Sequence, residues 1–307
     1  MTHYETYSYT FHDSFSAGLT FNNDVKVYLS TDKAGTNKVE VTPNFKTTSE
    51  SDKFTVNCAN LKTIENISNY KYILVEYTAT LNKNAVIGLD GNPNTVWLTY
   101  SNKPDQSGEG QPEKGETPKD TVIVFTYELD TTKVDGENPD TKLKDAEFKL
   151  KNADNKWVQV NTNGKVTGWA DTEKDGTTLK SDKNGLFKVI GLDAGTYYLK
   201  ETKAPSGYNQ LANEIKLTIT ATTNNGQTWT DANAKKALTN LEVAVGEAAA
   251  TPGNLNEGTV NVTIENNKGT VLPATGGLGT TMFYTIGGLL MLATAILLIT
   301  KRRMNAK

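Results

Sequence analysis

The side chains that most often do nucleophilic or metal chemistry are scarce in this sequence. Cysteine occurs once, at Cys58, and histidine occurs twice, at His3 and His12. A single cysteine excludes an intrachain disulfide. Because Cys58 shares its parity with Phe54 and Val56, we expect it to point into a core, with a reactive thiol as the alternative. Two histidines make no His-based site evident, and we expect neither a metal nor a cofactor.

A different chemistry is indicated near the end of the chain. Residues 278–300 form an apolar run without a charge, and four cations follow in the tail at 301–307. A helix of that length, at about 1.5 Å per residue, crosses a hydrocarbon core of about 30 Å. By the positive-inside rule the basic tail stays in the cytoplasm and the rest of the chain lies outside. The sequence therefore predicts a surface protein with a C-terminal transmembrane helix.

The segment at 271–277, directly before this run, contains the pentapeptide Leu-Pro-Ala-Thr-Gly. It resembles the sorting signal of Gram-positive surface proteins, with Leu272, Pro273, Thr275 and Gly276 matching the motif. The resemblance implies that a sortase cleaves between Thr275 and Gly276 and joins the Thr275 carbonyl to an amine of a cell-wall precursor or another protein. Proline favours an extended substrate, and glycine lets an enzyme's backbone approach. A plain membrane anchor is the alternative.

Composition indicates the kind of fold that carries these signals. The chain has 307 residues and a net charge of −3, it is rich in Thr, Asn, Val, Tyr and Gly, and turn dipeptides recur. This pattern favours an all-β protein with about two domains outside the membrane. The charge does not indicate a nucleic-acid partner. Residues 1–6 lack the basic start and apolar core of a signal peptide, and we expect the chain to be the C-terminal part of a longer protein.

Residues 1–104 are predicted to form the first domain. The stretches that identify it lie at 76–82, 91–94 and 100–104. They resemble the middle domain of Gram-positive backbone pilins, a collagen-adhesin A-like β-sandwich. Many members join a lysine of the first strand to an asparagine of the last strand with the help of an acid. The resemblance implies that Asn102 is an unpaired acceptor, that Asp13 is the acid, and that the lysine precedes Met1. An ordinary turn residue is the alternative for Asp13.

Residues 105–120 are rich in Pro, Gly and charge, and we expect them to form an exposed linker. The second domain is predicted at 121–270, where Asn-Gly pairs mark hairpin turns. These pairs lie at 163–164, 184–185 and 225–226. Three tryptophans are candidates for a carbohydrate-stacking patch, although packing on the sandwich is the favoured interpretation. They are Trp157, Trp169 and Trp229.

Three blocks of the second domain resemble, in order, the collagen-adhesin B-type domain of Gram-positive pilins and adhesins. The blocks lie at 132–148, 195–208 and 262–269. The resemblance implies an intramolecular isopeptide bond in which Lys133 is the nucleophile, Asn266 is the electrophile and Glu201 is the catalytic acid. Asn267 is the alternative acceptor if the strand parity is shifted by one residue.

Physical chemistry supports this site independently. Only a neutral amine is a nucleophile, and burial favours the neutral form of Lys133. Burial also raises the pKa of a carboxyl group, so that a protonated Glu201 can donate to the Asn266 carbonyl oxygen and shuttle protons as ammonia leaves. Solvated surface positions are the alternative. A bond that closes a loop of about 130 residues contributes roughly 5 kcal/mol.

Together these features predict two tandem Ig-like β-sandwich domains followed by a transmembrane helix. We expect a structural, non-enzymatic subunit of a sortase-assembled fibre, anchored to peptidoglycan at the cell wall after transient membrane insertion. Its expected partners are sortase and other pilin subunits. The Tyr-Pro-Lys motif through which backbone pilins accept the next subunit does not occur in the sequence. A wall-anchored adhesin that binds a host ligand directly, and a wall-anchored hydrolase, are the alternatives.

Overall fold

The structure is a computed structural model that describes residues 6–102, 113–224 and 236–269. Within these ranges the protein is all-β, with strands, short 3₁₀ helices and no α-helix. None of the described helices is long and apolar enough to cross a membrane. The segments predicted for sorting, membrane insertion and the basic tail, at 271–307, lie outside the described residues.

The first domain is built from eleven strands. They are β1 (Tyr9–Phe15), β2 (Leu19–Phe21), β3 (Lys26–Ser30), β4 (Val39–Glu40), β5 (Lys46–Ser49), β6 (Lys53–Cys58), β7 (Tyr72–Glu76), β8 (Ala79–Leu81), β9 (Asn92–Ser101), β10 (Lys114–Glu116) and β11 (Asp120–Val124). Short 3₁₀ helices lie at Thr42–Asn44, Leu61–Thr63 and Ile67–Asn69. The main sheet has the order β10-β9-β1-β6-β5, a second has the order β4-β3-β7, and β2 pairs with β8.

The core of this domain follows the two-residue period of its strands. Phe54, Val56 and Cys58 alternate with more exposed residues along β6 and are buried. The predicted inward position of Cys58 is therefore confirmed. Phe21 stacks on Phe54 with 4.1 Å between ring centroids, and Tyr77 meets Phe54 edge-on. These aromatic contacts hold the smaller sheets against the main sheet.

The segment between the domains differs from the predicted exposed linker at 105–120. β10 pairs with the C-terminal half of β9, and β11 pairs with its N-terminal half. Both strands thus belong to the first domain's main sheet, and the second domain begins after β11. The physical reason is that β9 has backbone donors and acceptors along this edge, which even a polar, charged strand can satisfy.

The second domain contains the other eleven strands. They are β12 (Tyr127–Asp135), β13 (Glu147–Asn152), β14 (Trp157–Val160), β15 (Val166–Ala170), β16 (Leu179–Lys180), β17 (Leu186–Leu192), β18 (Gly195–Lys203), β19 (Ile215–Thr223), β20 (Leu238–Val245), β21 (Thr251–Pro252) and β22 (Thr259–Asn266). A 3₁₀ helix lies at Glu173–Asp175. One sheet has the order β17-β12-β22, and the other has the order β15-β14-β13-β18-β19-β20-β21, with β16 beside β13.

Buried apolar side chains from both of these sheets form one core. The first and last strands, β12 and β22, are adjacent and parallel. Two of the predicted Asn-Gly turns are present, since Gly164 and Gly185 both adopt positive φ, whereas the third lies outside the described residues. This pairing places the first and last strands of the domain side by side, with the start of β12 next to the start of β22.

Candidate functional site

The two residues predicted to form the isopeptide bond lie side by side on one sheet. Lys133 is on β12, Asn266 is the last residue of β22, and both are 0% exposed. The parallel register places Lys133 opposite Ile264 and Asp135 opposite Asn266. Lys133 and Asn266 are therefore diagonal neighbours, two residues out of register, on the same face of the sheet.

A glycine turn fixes the backbone of Lys133. Gly185 has a φ of +75°, and a Cβ on it would lie 2.4 Å from the Lys133 carbonyl oxygen. The Lys133 N–H donates to the Gly185 carbonyl at 2.7 Å, and the Lys133 carbonyl accepts from the Leu143 N–H at 2.9 Å. Glycine is required here for both the dihedral angle and the close approach. The Asn-Gly turn thus supports the reactive end of β12.

Glu201 reaches the same cluster from the facing sheet. It lies on β18 and is 2% exposed. Its Oε2 accepts from Asn266 Nδ2 at 3.0 Å and from the Leu211 N–H at 2.7 Å. Glu201 Oε1 and Asn266 Oδ1 are buried and lack a hydrogen-bond partner among the described residues. Buried polar atoms are rarely left unpaired, and a reactive role is one recognised reason for it.

The contact between the acid and the amide differs from the predicted one. We expected Glu201 to face the Asn266 carbonyl oxygen, but Asn266 Nδ2 donates to Glu201 Oε2. The same nitrogen also donates to the Asn209 carbonyl. Two acceptors hold the amide nitrogen toward the acid. Glu201 therefore faces the nitrogen that would leave as ammonia, where it can deliver a proton to the leaving group.

The amine of Lys133 is held close to the same strand end. Its Nζ donates to the Ile264 carbonyl at 2.9 Å. Burial lowers the pKa of Lys133 from 10.5 to about 8, and the negative charges of Glu201 and Glu265 oppose this decrease. With a pKa of about 8, about a tenth of the amines is neutral at pH 7. A neutral amine, a carboxamide and an acid in a dry core are the components of an intramolecular amide-forming reaction.

A second buried acid lies in the first domain. Asp13 is part of strand β1 rather than of the predicted turn, and it is 0% exposed. Its Oδ2 accepts from the Tyr77 hydroxyl and from Asn94 Nδ2, the latter at 3.1 Å. Burial raises the pKa of Asp13, and the hydrogen bonds from Tyr77 and Asn94 oppose that increase. Asp13 Oδ1 and Asn94 Oδ1 are buried without a partner among the described residues.

The structure does not bring Asp13 and Asn102 together. Asp13 pairs with Val96 across β1 and β9, whereas Asn102 is an exposed residue beyond the end of β9. Six residues of strand separate Val96 from Asn102, which corresponds to about 20 Å. The asparagine that contacts Asp13 is Asn94, on the same strand. The difference arises because the register of β9 with β1 places Asn94, and not Asn102, beside Asp13. The family resemblance gave no information on that register.

Several residues of the two clusters were not singled out from the sequence. Asn94 lies within a stretch that carried the family resemblance, but nothing in its spacing marked it as a partner of Asp13. Tyr77, Asn209 and Leu211 contribute a hydroxyl, a carbonyl and a backbone N–H, respectively. Backbone donors and acceptors have no sequence signal, because every residue carries them.

The other candidate sites have ordinary surroundings. Trp157 is buried, and Trp169 stacks on Tyr197 with a centroid distance of 6.3 Å and an interplanar angle of 19°. Both therefore contribute to packing, and Trp229 lies outside the described residues. Cys58 is buried, and burial raises the pKa of its thiol. Within the described part of the chain, no group of three or more His, Cys, Asp or Glu is arranged to hold a metal.

Three family models match the chain. Residues 2–104 match the Gram-positive pilin backbone subunit 2, Cna-B-like domain. Residues 127–236 match the SpaA prealbumin-like fold domain, and residues 264–307 match the LPXTG cell wall anchor motif. The first description is Cna-B-like, whereas the sequence predicted an A-like domain. The anchor model covers the predicted sorting motif, membrane span and basic tail.

Individual relatives are pilin proteins. The chain is 28% identical over 277 residues to the trypsin-resistant surface T6 protein of Streptococcus pyogenes serotype M6, across 75% of this chain and 48% of the relative. It thus spans about half the length of that relative. The crystal structure of a group B streptococcus pilus 2b backbone protein is similar with a TM-score of 0.54 and 27% identity, over 88% of each chain.

A further structural neighbour supports the fold alone. It is a 35 kDa C-terminal fragment of the major pilin GBS80 of Streptococcus agalactiae, with a TM-score of 0.55, 23% identity and coverage of 86% of this chain and 88% of the fragment. The predicted arrangement of two tandem β-sandwich domains is therefore confirmed.

Proposed function

We propose that this chain, which matches Gram-positive pilin models and relatives over most of its length, is a backbone-type pilin and a structural subunit of a sortase-assembled surface fibre. It is a cell-wall surface protein with an LPXTG anchor motif. In the proposed assembly a sortase cuts between Thr275 and Gly276. The Thr275 carbonyl is then joined to an amine of a neighbouring pilin subunit or of peptidoglycan. The relatives are structural pilin subunits, and we propose no turnover activity for this chain.

The buried cluster of Lys133, Glu201 and Asn266 carries the mechanical part of this proposal. Neutral Lys133 attacks Cγ of Asn266, a new C–N bond forms, and the bond from Cγ to Nδ2 breaks. Glu201 accepts a proton from the attacking amine and delivers one to the departing nitrogen. The products are one amide cross-link and one ammonia molecule, so that atoms and charge balance without an oxidant or a cofactor.

Strand parity favours Asn266 over Asn267 as the acceptor. Asn266 shares its face of β22 with the buried Ile264, and its amide contacts Glu201. Asn267 is exposed and lies beyond the strand. An exposed amide keeps its hydration and lies away from the amine, whereas Asn266 is dry and next to it.

The position of the cross-link suits a load-bearing fibre. β12 and β22 are parallel, so their N-terminal and C-terminal ends lie at opposite ends of the pair. Tension that enters at Tyr127 and leaves beyond Asn266 would shear the two strands apart. A bond from Lys133 to Asn266 would carry that tension from β12 directly to the end of β22. The rest of the sandwich would then be protected from extension.

The first experiment measures the intact mass of the full chain before sorting. The wild-type protein should be lighter than its sequence by one ammonia molecule. Lys133→Ala and Asn266→Ala should each restore the sequence mass, and a proteolytic digest of the wild type should contain a branched peptide joining the two segments. A folded wild-type protein with the full sequence mass would contradict the cross-link.

The second experiment tests sorting. With a signal peptide added, the wild-type chain should become linked to the cell wall in a Gram-positive host. The Thr275→Ala variant should stay in the membrane fraction because the scissile bond is no longer recognised. Wall-linked Thr275→Ala protein would show that cleavage occurs elsewhere.

The first domain supports a second site of the same kind, with Asn94 rather than Asn102 as the acceptor. Asp13 supplies a buried acid, and Asp13 Oδ1 and Asn94 Oδ1 are both buried without a hydrogen-bond partner among the described residues. A cleft of about 210 Å³ is lined in part by Val75 and by Val96, the Cα partner of Asp13. Among the described strands β7 pairs only with β3. A lysine brought to this edge would supply the amine that the cluster needs.

This second site is tested on protein extracted from the cell wall. A peptide containing Asn94 should be branched to a lysine-containing peptide with the loss of one ammonia molecule, whereas Asn102 should be unmodified. Recovery of an unbranched Asn94 peptide in full yield would contradict the proposal.

A further inference from the structure

We propose that Asp135, Tyr208 and Lys268 form a positioning clamp that holds Asn266 in register for the reaction. This inference rests on the proposed bond between Lys133 and Asn266 and adds to it a set of residues outside the reacting group. None of the three touches the atoms that react. Their role is to fix the end of β22 and the loop that carries its partners.

The reacting asparagine lies where a strand is least secure. Asn266 is the last residue of β22, and strand ends fray more readily than strand centres. Beyond it the backbone pairing continues in an isolated bridge between Lys268 and Tyr208 and in the bond from the Asn209 N–H to the Asn267 carbonyl. A loose end would leave the distance between Lys133 and Asn266 poorly defined. Efficient attack requires the reacting atoms to be held about 3–3.5 Å apart. Something beyond Asn266 must therefore anchor the strand.

Asp135 provides that anchor. It is the Cα partner of Asn266 across β12 and β22 and is 1% exposed. Its Oδ2 accepts from the Tyr208 hydroxyl at 2.8 Å and pairs with Lys268 Nζ at 3.0 Å. Lys268 lies two residues beyond the reactive asparagine. The ion pair with Lys268, together with local hydrogen bonds, lowers the pKa of Asp135, which keeps the carboxylate charged.

The same carboxylate also orders the turn that follows β12. Asp135 Oδ1 accepts from the Glu137 N–H at 2.8 Å and from the Asn138 N–H at 3.3 Å. One side chain thus connects the turn after β12, the loop after β18 through Tyr208, and the end of β22 through Lys268. Oδ1 therefore orders the local turn, whereas Oδ2 connects segments that are distant in the sequence.

Tyr208 extends the clamp to the reaction centre because its loop contacts both the acid and the amide. The next residue, Asn209, donates its N–H to the Asn267 carbonyl at 3.0 Å and accepts from Asn266 Nδ2. Two residues further on, the Leu211 N–H donates to Glu201 Oε2 at 2.7 Å. A loop fixed through the Tyr208 hydroxyl therefore positions both the leaving nitrogen and the proton carrier.

The experiment follows bond formation in newly made protein. The full chain is produced by cell-free synthesis, samples are denatured at intervals, and the cross-linked fraction is measured by intact mass. Asp135→Asn keeps an oxygen for the local turn but presents an NH₂ group to Tyr208 and Lys268. Tyr208→Phe removes only the hydroxyl. Both variants should form the bond roughly tenfold to a hundredfold more slowly than the wild type, since small displacements have effects of that size.

Matched variants separate positioning from a general structural role. Asp24 also accepts an N–H and a hydroxyl group, both from Thr78, but is exposed and lies in the first domain, so Asp24→Asn should react at the wild-type rate. The side chain of Lys268 is 57% exposed, and Lys268→Met should therefore fold and still react slowly. Lys268→Arg keeps the ion pair and should restore most of the rate.

The outcomes distinguish this inference from the proposed bond itself. If the wild type never loses ammonia, the cross-link is wrong. If the wild type reacts while folded Asp135→Asn, Tyr208→Phe and Lys268→Met proteins all react within twofold of its rate, the clamp is wrong. In a Lys133→Met background, which cannot react, the Tyr208→Phe and Lys268→Met variants should melt close to their parent. A large fall in melting temperature there, with an unchanged reaction rate in the reactive background, would also overturn the inference.

Discussion

Each of the two domains buries an acid against an asparagine, but within the described residues only the second also buries an amine beside them. In the second domain Glu201 contacts Asn266, and Lys133 lies on the adjacent strand. In the first domain Asp13 contacts Asn94, and two buried oxygens face no donor among the described residues. The comparison shows that an acid and an amide can be brought together by strand register, as in the first domain, or by the packing of two sheets, as in the second. The amine decides whether such a cluster can react.

The two clusters also differ in how the strand that carries the asparagine is held. β22 is an edge strand that pairs with β12. β9 lies inside its sheet, between β1 on one side and β10 with β11 on the other. In the second domain the donor and acceptor strands are therefore neighbours in one sheet. In the first domain a cleft is lined both by Val96, the Cα partner of Asp13, and by Val75 on β7 of another sheet.

The largest expected effect is loss of the second domain's cross-link. Lys133→Met fills a similar volume without an amine, and it should lower the melting temperature of that domain by roughly 15 °C as about 5 kcal/mol of loop-closure stabilisation is lost. Asp13→Asn should leave this transition unchanged. Calorimetry of the full chain measures both, and Lys144→Met, at an exposed lysine, is the control. Equal melting of Lys133→Met and wild type would remove the proposed difference between the domains.

Removal of the acid alone should have nearly the same effect on the bond. Glu201→Gln keeps Lys133 and Asn266 but cannot shuttle protons, so the protein should retain the full sequence mass. Glu265→Gln changes an exposed acid on β22, the strand that carries Asn266, and this variant should still form the cross-link. Intact mass measurements provide the answer. A cross-linked Glu201→Gln protein would mean that the acid is dispensable.

The pH dependence of stability should reveal the buried amine when no bond can form. The pKa of Lys133 is about 8 in the folded state and 10.5 in the unfolded state. Between these values the unfolded chain binds more protons, so stability rises with pH across that window. Urea unfolding of Asn266→Ala from pH 7 to pH 10.5 should show this rise relative to Asn266→Ala with Lys133→Met. Parallel pH profiles for the two proteins would argue against a buried amine.

The smallest expected effect has the opposite sign and belongs to the first domain. Burial raises the pKa of Asp13 above 3.8, so the folded domain holds a proton more tightly than the unfolded chain. Its contribution to stability should therefore fall as pH increases from 3.8 through the folded pKa. Asp13→Asn lacks this dependence. Denaturation of both proteins between pH 3 and pH 7 tests the prediction, and a stability difference that grows in favour of wild type with rising pH would contradict it.

The sequence by itself determined the class of the protein and much of the second site. The alternation of apolar and polar residues specifies strands and the inward position of Cys58, because side chains alternate between the faces of a strand. The family resemblance placed Lys133, Glu201 and Asn266 as a set, and the structure brings them together. The apolar run and the sorting pentapeptide can also be recognised from the local sequence alone, because neither depends on a contact with a distant part of the chain.

Only the tertiary structure decided which asparagine meets Asp13, where the first domain ends, and which atom of Asn266 faces Glu201. The first two depend on the register between strands that are far apart in the chain, and the third depends on how the two sheets of the second domain pack against each other. A shift of a few residues leaves the local pattern of β9 almost unchanged but moves its asparagines by about 3.3 Å per residue relative to β1. The clamp of Asp135, Tyr208 and Lys268 joins three distant segments in the same way. Such contacts are fixed by packing and backbone pairing, which a single stretch of sequence does not contain.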